Sequence, residues 1–417
     1  MISELFYTGN FGIERESLRV DSQDRIAQTS HPFRSSALTR DFCESQTEIV
    51  TGVCQSVKEA VCELERLDSE AKQTLDRLGE HFWLYSNPPH ITSEDEVSIA
   101  QFTGEESAKT RYREQLALRY GKRLMLYSGV HFNFSFSEKY LRSICTGTDF
   151  EKFCGEFYLR LYKHTFTHSW LVLLLTASSP AYDLSLDRDN AGGAIRSKYS
   201  SMRNSQRGYW NDFIPILRHD SLCGFADSIE EYTQSGRLLS ASELYLPVRL
   251  KPKGEYTVQN LRKGVSHIEL RMFDLDPFSP AGVNVNDLEF AHLLLMFLSC
   301  KDDFEFTEQL QRQAISDHKN AALCDLSGIE TGGMGMIKKA ARILDEMEWF
   351  FADDAVAAEL IAFERRKLYH RPCMRVRTDE IYINKKEGDN YVRASRFFSK
   401  GSNGYKQTAP GVFCSLR

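Results

Sequence analysis

Hydrophobic positions return along this 417-residue chain with two different periods. From Val57 to Phe82, the residues Val57, Val61, Leu64, Leu67, Ala71, Leu75 and Leu78 recur every three or four positions with charges between them. That spacing predicts a long amphipathic helix. Asn87-Pro88-Pro89 marks a turn after it, and Ala108 to Tyr120 reads as a further helix ending before Gly121. Phe153 to Thr176 and Asp287 to Cys300 are apolar almost all round, which predicts buried helices, the second starting at Asp287. Met336 to His370 holds one or two helices, broken near Asp353 and Asp354.

Four other segments alternate with period two, the signature of strands whose side chains point to opposite faces. In Phe11–Val20, Glu14, Glu16 and Leu18 share a face. In Asp41–Val50 the shared face is Glu44, Gln46 and Glu48. In Ser128–Phe136, His131, Asn133 and Ser135 lie opposite Val130, Phe132, Phe134 and Phe136. In Ser266–Phe273, His267, Glu269 and Arg271 alternate with Ile268, Leu270 and Met272.

An antiparallel sheet commonly packs one face and wets the other. A wetted face ordinarily mixes Lys, Thr, Ser and Glu. These four faces hold no lysine and concentrate Glu, His, Asn and Arg. Carboxylates converging on one cavity repel, so they must be protonated, paired or bound to cations. Glu14, Glu16, Asp41, Glu44, Glu48 and Glu269 offer hard oxygen donors and His131 one nitrogen, a set suited to Mg²⁺ or Mn²⁺ rather than zinc. A carboxylate-rich magnesium site beside Arg271 suggests phosphoryl transfer, with the arginine stabilising the moving group.

Composition narrows the classes. Apolar residues make up 42% and charged residues 26%, the balance of an ordinary globular chain. A net charge of −6 argues against a phosphate backbone as the main partner, so no nucleic acid is expected. No stretch approaches the length of a membrane helix, and no signal peptide is visible, so we expect a cytoplasmic protein without a membrane partner. The ten cysteines form no CxxC pair or zinc block and read as reduced thiols. There is no P-loop; Gly332-Gly333-Met334-Gly335 reads as a plain loop or helix start rather than a phosphate cradle. Arg203–Tyr209 sets two arginines and a tyrosine in a short loop where a carboxylate could be held, and Glu243–Lys251 ends a strand-like run with Tyr245 and two cations, Arg249 and Lys251, although a surface loop and an ordinary edge strand account for them equally well.

Taken in order, GIERESLRV, SALTRDFCESQTEIVT, YREQLALRYGKRL, SGVHFNFSF, RNSQRGY, SELYLPVRLKP and HIELRMFDLDPFSP resemble the bacterial glutamate–cysteine ligase (gamma-glutamylcysteine synthetase) family, whose fold is related to that of glutamine synthetase. The blocks run from about Phe11 to Gly282. The resemblance implies an α+β fold, a twisted antiparallel sheet curved into a funnel-shaped active site with helices outside. It implies ATP-dependent joining of the L-glutamate side-chain carboxylate to the amine of L-cysteine, through a gamma-glutamyl phosphate. Position by position, Glu14, Glu16, Asp41, Glu48, His131 and Glu269 match magnesium-binding positions. Arg271 matches the arginine at the transferring phosphoryl group, and Asn133 a substrate-pocket residue. Arg203, Tyr209 and Tyr245 match residues around the acceptor amino acid. No residue is assigned to the adenine or ribose.

We expect one catalytic unit over residues 1–384 and a tail at 385–417, which the pattern leaves open between a hairpin, a lid and a partly disordered end. The chain is shorter than the usual single-function member, and from Lys301 onward it resembles the family only loosely. It also resembles the first part of fused glutathione synthases, but no second, ATP-grasp-like module follows Arg417, so a single ligation is expected. Two rival readings remain: the same chemistry with another amine as acceptor, and a non-catalytic nucleotide-binding relative.

Overall fold

The computed structural model describes residues 3–187 and 192–368. In chain order its elements are β1 (Gly9–Val20), β2 (Leu38–Arg40), β3 (Gln46–Val50), α1 (Val57–Leu78), β4 (His81–Phe82), α2 (Ser107–Tyr120), β5 (Gly129–Phe136), α3 (Glu138–Ile144), α4 (Phe150–Thr176), β6 (Ala181–Asp183) and β7 (Ala194–Arg196). There follow α5 (Leu222–Gln234), β8 (Val248–Lys251), α6 (Val258–Lys263), β9 (His267–Asp274), α7 (Val285–Ser299), α8 (Glu308–Ala321), β10 (Glu330–Thr331), β11 (Met334–Gly335), α9 (Met336–Phe350) and a helix, α10, at 355–368.

The period-two segments form one mixed-order sheet, β2-β3-β1-β5-β9-β8, with β4 added to β1 and every pair antiparallel. Its apolar face carries Phe11, Ile13, Ile49, Phe132, Phe134, Ile268 and Leu270, all buried in one core cluster. Helices α1 and α4 cover that face, and α7 reaches it through His292 against Phe11 and Phe134. The nearly all-apolar sequences of α4 and α7 follow from this position, packed between the sheet and the outer helices.

Several boundaries differ from expectation, each for a local reason. Helix α1 stops at Leu78, because Gly79 turns left-handed at φ +70° and its N–H closes onto Leu75 and Asp76 carbonyls. His81 and Phe82 therefore pair with β1 instead of extending the helix. Helix α4 starts at Phe150, where the Asp149 side chain accepts the Lys152 N–H. Helix α7 starts after Asn284, which caps it, so Asp287 lies inside the first turn. The break near Asp353 is real: Asp354 accepts the Val356 and Ala357 N–H groups and starts α10.

The expected strand Asp41–Val50 is two pieces of hairpin. Residues 41–45 turn between β2 and β3, with Gln46 N–H on the Cys43 carbonyl and Asp41 N–H on the Gln46 carbonyl. The glycine cluster at 332–335 is the β10–β11 hairpin, with Gly332 at φ +59° and Gly333 at φ +75°, the left-handed pair that a two-residue turn demands. Among the described residues no helix is long and apolar enough to cross a membrane. The expected tail at 385–417 lies outside the described residues.

Candidate active site

Strand register assembles the polar face of the sheet. Glu16 stands opposite Glu48, Glu14 opposite His131, and Asn133 opposite Glu269. Glu269 in turn faces Arg249 on β8. Between Val130 and Phe132 the pairing with β9 slips by one residue, because β9 carries one residue more than β5 there. This bulge falls at Arg271 and Met272, opposite His131, and such bulges bend the strand and re-aim its side chains.

The result is a cluster of short distances. His131 Nδ1 lies 3.3 Å from Glu14 Oε2 and 3.6 Å from Glu269 Oε1. Its Nε2 lies 3.6 Å from Glu16 Oε1. Asn133 Nδ2 donates to Glu14 Oε1 at 3.1 Å, and Arg271 Nη1 donates to Glu269 Oε1 at 3.1 Å. Lys251 Nζ stands 3.6 Å from Glu269 and 4.0 Å from Glu14, and Arg249 Nη1 is 3.7 Å from Glu269 Oε2.

Electrostatics divides the carboxylates into two groups. Burial would raise Glu269, but Arg271, Lys251 and Arg249 overcome it and hold the group well below the usual carboxylate range. Burial and the charge of Glu269 push Glu14 up, while the His131 hydrogen bond and Lys251 win and leave it lowered. Glu16 lies on the other side of the divide: burial and Asp41 push it up to about 8. Glu48 is raised well above its ordinary value by burial and by Glu14, Asp41 and Glu16. Asp41 is also raised, mainly by burial, against the pull of Arg113 and Arg271. Burial and Arg271 push His131 down to about 4, so the ring is neutral.

These residues fit a divalent cation. One ligand atom from each of Glu14, His131 and Glu269 lies within 4.8 Å of the others. The Oε2 of Glu269 and the Oδ1 of Asn133 are buried and accept no hydrogen bond. Glu16, Glu48 and Asp41 add hard oxygens whose raised affinity for protons is what a site built for metal charge shows without it.

The second half of the site is the tight turn at 202–209. Tyr209 N–H closes onto the Arg203 carbonyl, and a Cβ on Gly208 would meet that oxygen at 1.8 Å. The buried Arg203 guanidinium donates to the Arg271 carbonyl at 2.7 Å and reaches His131 Nε2 at 3.3 Å. The rings of Tyr209 and Tyr245 sit 4.1 Å apart. Arg203, Tyr209, Tyr245 and Arg271 line a narrow recess of about 30 Å³ together with Trp210 and Pro247.

Glu14, Glu16, His131, Asn133, Arg203, Tyr209, Tyr245, Glu269 and Arg271 thus form one connected region, to which Asp41 and Glu48 are linked by charge, while Glu44 stands apart. Its carboxylate accepts the His31 and Gln101 N–H groups and pairs with Arg40, so it pins the hairpin and is no ligand of this cluster. Arg249 and Lys251, the two cations at the end of Glu243–Lys251, are the balancing charges of Glu269. Gly129 was not singled out. A Cβ there would lie 2.4 Å from Arg203 Cζ, and no pattern in one sequence announces that.

The comparisons with known proteins identify a family and a fold. The sequence model of the family described as glutamate-cysteine ligase matches residues 2–237 and 227–321, and the chain belongs to that family. It is 30% identical to the glutamate–cysteine ligase of Clostridium acetobutylicum, covering 77% of this chain and 78% of that protein. It is also 30% identical to the glutathione biosynthesis bifunctional protein of Listeria monocytogenes, covering 88% of this chain and 51% of that one. The chain spans about half the length of such bifunctional relatives. Among solved structures, the bifunctional glutathione synthetase of Pasteurella multocida aligns with a TM-score of 0.79 at 24% identity, over 93% of this chain and 51% of that one. The Francisella tularensis glutamate–cysteine ligase, solved in complex with AMP, aligns at 0.77 and 22%, over 90% and 84% of the two chains. These two likenesses establish the fold.

Proposed function

We propose that this protein is an ATP-dependent ligase that joins the γ-carboxylate of L-glutamate to the amine of L-cysteine, the first step of glutathione biosynthesis. The observation that carries the reading is the convergence of Glu14, His131 and Glu269 on one sheet face, beside Arg271, in a chain of this family.

Glu14, Glu16, Asp41, Glu48, His131 and Glu269 would hold Mg²⁺ or Mn²⁺. When bound, such ions screen the phosphate chain from the glutamate carboxylate and stabilise charge on the transferring group. The remaining tasks fall to the chain. A γ-carboxylate oxygen of glutamate attacks the terminal phosphorus of ATP, and the bond to ADP breaks. Arg271, kept cationic by Glu269 despite its burial, faces the charge that develops on the phosphoryl oxygens. Asn133, fixed by Glu14, contributes to the substrate pocket. Arg203, Tyr209 and Tyr245 hold the acceptor at the recess, with the arginine suited to its carboxylate. The acceptor nitrogen then bonds to the γ-carbonyl carbon, phosphate leaves with its electron pair, and the nitrogen sheds a proton.

We read residues 1–384 as one cytoplasmic catalytic unit, with the sheet curving as a funnel around these groups in the manner of glutamine synthetase. Support comes from the position of the polar face, which is the concentrated, lysine-edged side of a single sheet. Glutamate carrying ¹⁸O in its γ-carboxylate tests the mechanism. One label per turnover should appear in inorganic phosphate. Dipeptide formed with unlabelled phosphate would exclude the acyl phosphate, and no gamma-glutamyl product with any acceptor would exclude the ligase.

A further inference from the structure

Behind the acceptor recess lies a buried polar chain that the reaction as described does not use. His318, on α8, is fully buried. Its Nδ1 is 2.9 Å from Ser169 Oγ on α4, and its Nε2 is 3.2 Å from Asn204 Oδ1. The Asn204 amide cannot be turned round, because its Nδ2 donates to Ser201 Oγ at 2.9 Å and to the Met272 carbonyl at 3.0 Å. Its oxygen therefore faces His318, so the histidine carries its proton on Nε2 and accepts the Ser169 hydroxyl at Nδ1. Burial pushes His318 down to about 3, so the ring stays neutral and keeps this single tautomer.

We propose that His318 is a positioning residue for the acceptor site, fixing through Asn204 the turn that presents Arg203 and Tyr209. This rests on the reading that these two residues receive the acceptor amino acid. Asn204 directly follows Arg203 and is tied on its other side to β9, where Met272 follows Arg271. Asp274 completes the anchor: its Oδ1 accepts Ser201 Oγ at 2.9 Å and its Oδ2 accepts Ser179 Oγ at 2.7 Å. The turn is thus held against the sheet by β9 and against the outer helices by His318. A histidine that merely filled space beside Trp210, whose ring is 5.6 Å away, would not need both nitrogens satisfied by polar partners from two further segments. An apolar side chain of similar size would pack there, leaving Asn204 Oδ1 buried without its donor, which loosens the turn rather than the core.

The experiment uses the full chain and two variants. His318→Leu removes both hydrogen bonds, and His318→Gln restores a donor close to the position of Nε2. With Mg²⁺, ATP, L-glutamate and L-cysteine, His318→Leu should raise the KM for cysteine about five- to tenfold, leaving the KM values for glutamate and ATP unchanged. His318→Gln should return most of that loss. In parallel, amide hydrogen exchange of the segment 200–210 should quicken in His318→Leu and return in His318→Gln, since the Ser205, Gly208 and Tyr209 amides close the turn. Unchanged exchange in this segment overturns the proposal, whatever the activity. Equal rises in all three KM values also overturn it, because they mark a general loss of structure. A wild-type chain with no ligase activity defeats the functional reading instead, and the exchange comparison still decides the role of His318.

Discussion

Glu16 Oε2 accepts the backbone N–H of Gly129 at 3.0 Å, and that hydrogen bond fixes the two halves of the site against each other. Glu16 belongs to the carboxylate cluster, while the absent side chain of Gly129 leaves the space in which the Arg203 guanidinium lies. Gly129→Ala should therefore act on activity as well as on stability. Its Cβ forces Arg203 aside, and overpacking of this kind costs about 1–3 kcal/mol. We expect at least about a tenfold loss of kcat/KM for the acceptor amine, where 1.4 kcal/mol is a factor of ten. A folded variant with wild-type acceptor kinetics would show that Arg203 is not held as described.

Glu269 and Arg271 form the charged pair at the reaction centre. Glu269→Gln or Arg271→Ala should cut turnover by at least about a hundredfold, the scale of losing one preorganised contact to the transition state. The circular dichroism spectrum should be unchanged. Near-normal turnover in a folded variant removes the role assigned to that residue.

Metal binding should be visible as a pH-dependent gain in stability. The raised value of Glu16, near 8, means that it holds a proton in the metal-free protein at neutral pH, and burial beside Glu14, Asp41 and Glu16 shifts Glu48 in the same direction. The stability that protonated Glu16 contributes is complete below its ordinary value of 4.5 and is lost as pH rises through about 8. The metal-free Tm should fall between about pH 6 and pH 8.5, and the rise in Tm on adding Mg²⁺ should be larger at the upper end. An equal rise at both ends would contradict a cation taken up by these carboxylates.

Arg15 alternates with Glu14 and Glu16 along β1 and points the other way, where it meets Asp68 of α1 at 2.7 Å in the core. Arg15→Met alone should lose about 1–3 kcal/mol in urea unfolding, because buried Asp68 is left with Lys72, at 2.5 Å, as its remaining ion-pair partner. The double variant Arg15→Met, Asp68→Leu should recover most of it. A single variant that loses less than about 1 kcal/mol would place the pair in the class of weak, screened ion pairs.

How far the sequence reaches depends on whether a feature is periodic. Alternation in Phe11–Val20, Ser128–Phe136 and Ser266–Phe273 located Glu14, His131, Asn133, Glu269 and Arg271 on one face, and the register unites them. Alternation through Asp41–Val50 continued the same rule across a hairpin. There Asp41 stays with the cluster through its electrostatics, while Glu44 turns away to His31 and Gln101. The charge balance by Arg249 and Lys251 depends on β8 pairing with β9, a contact between segments that no local pattern specifies. Gly129 and His318 are further from view: the first matters for what its missing Cβ admits, the second for two partners far away in the chain.

The central claim is that this carboxylate-lined sheet activates glutamate with ATP and passes it to an amino acid. It is tested most directly by ADP release with Mg²⁺, ATP and L-glutamate against the common amino acids and a few simple amines, with products identified by mass. The account predicts release that depends on the acceptor, strongest with L-cysteine, and a gamma-glutamyl dipeptide as product. ADP release indifferent to every acceptor, with no gamma-glutamyl product, would contradict it.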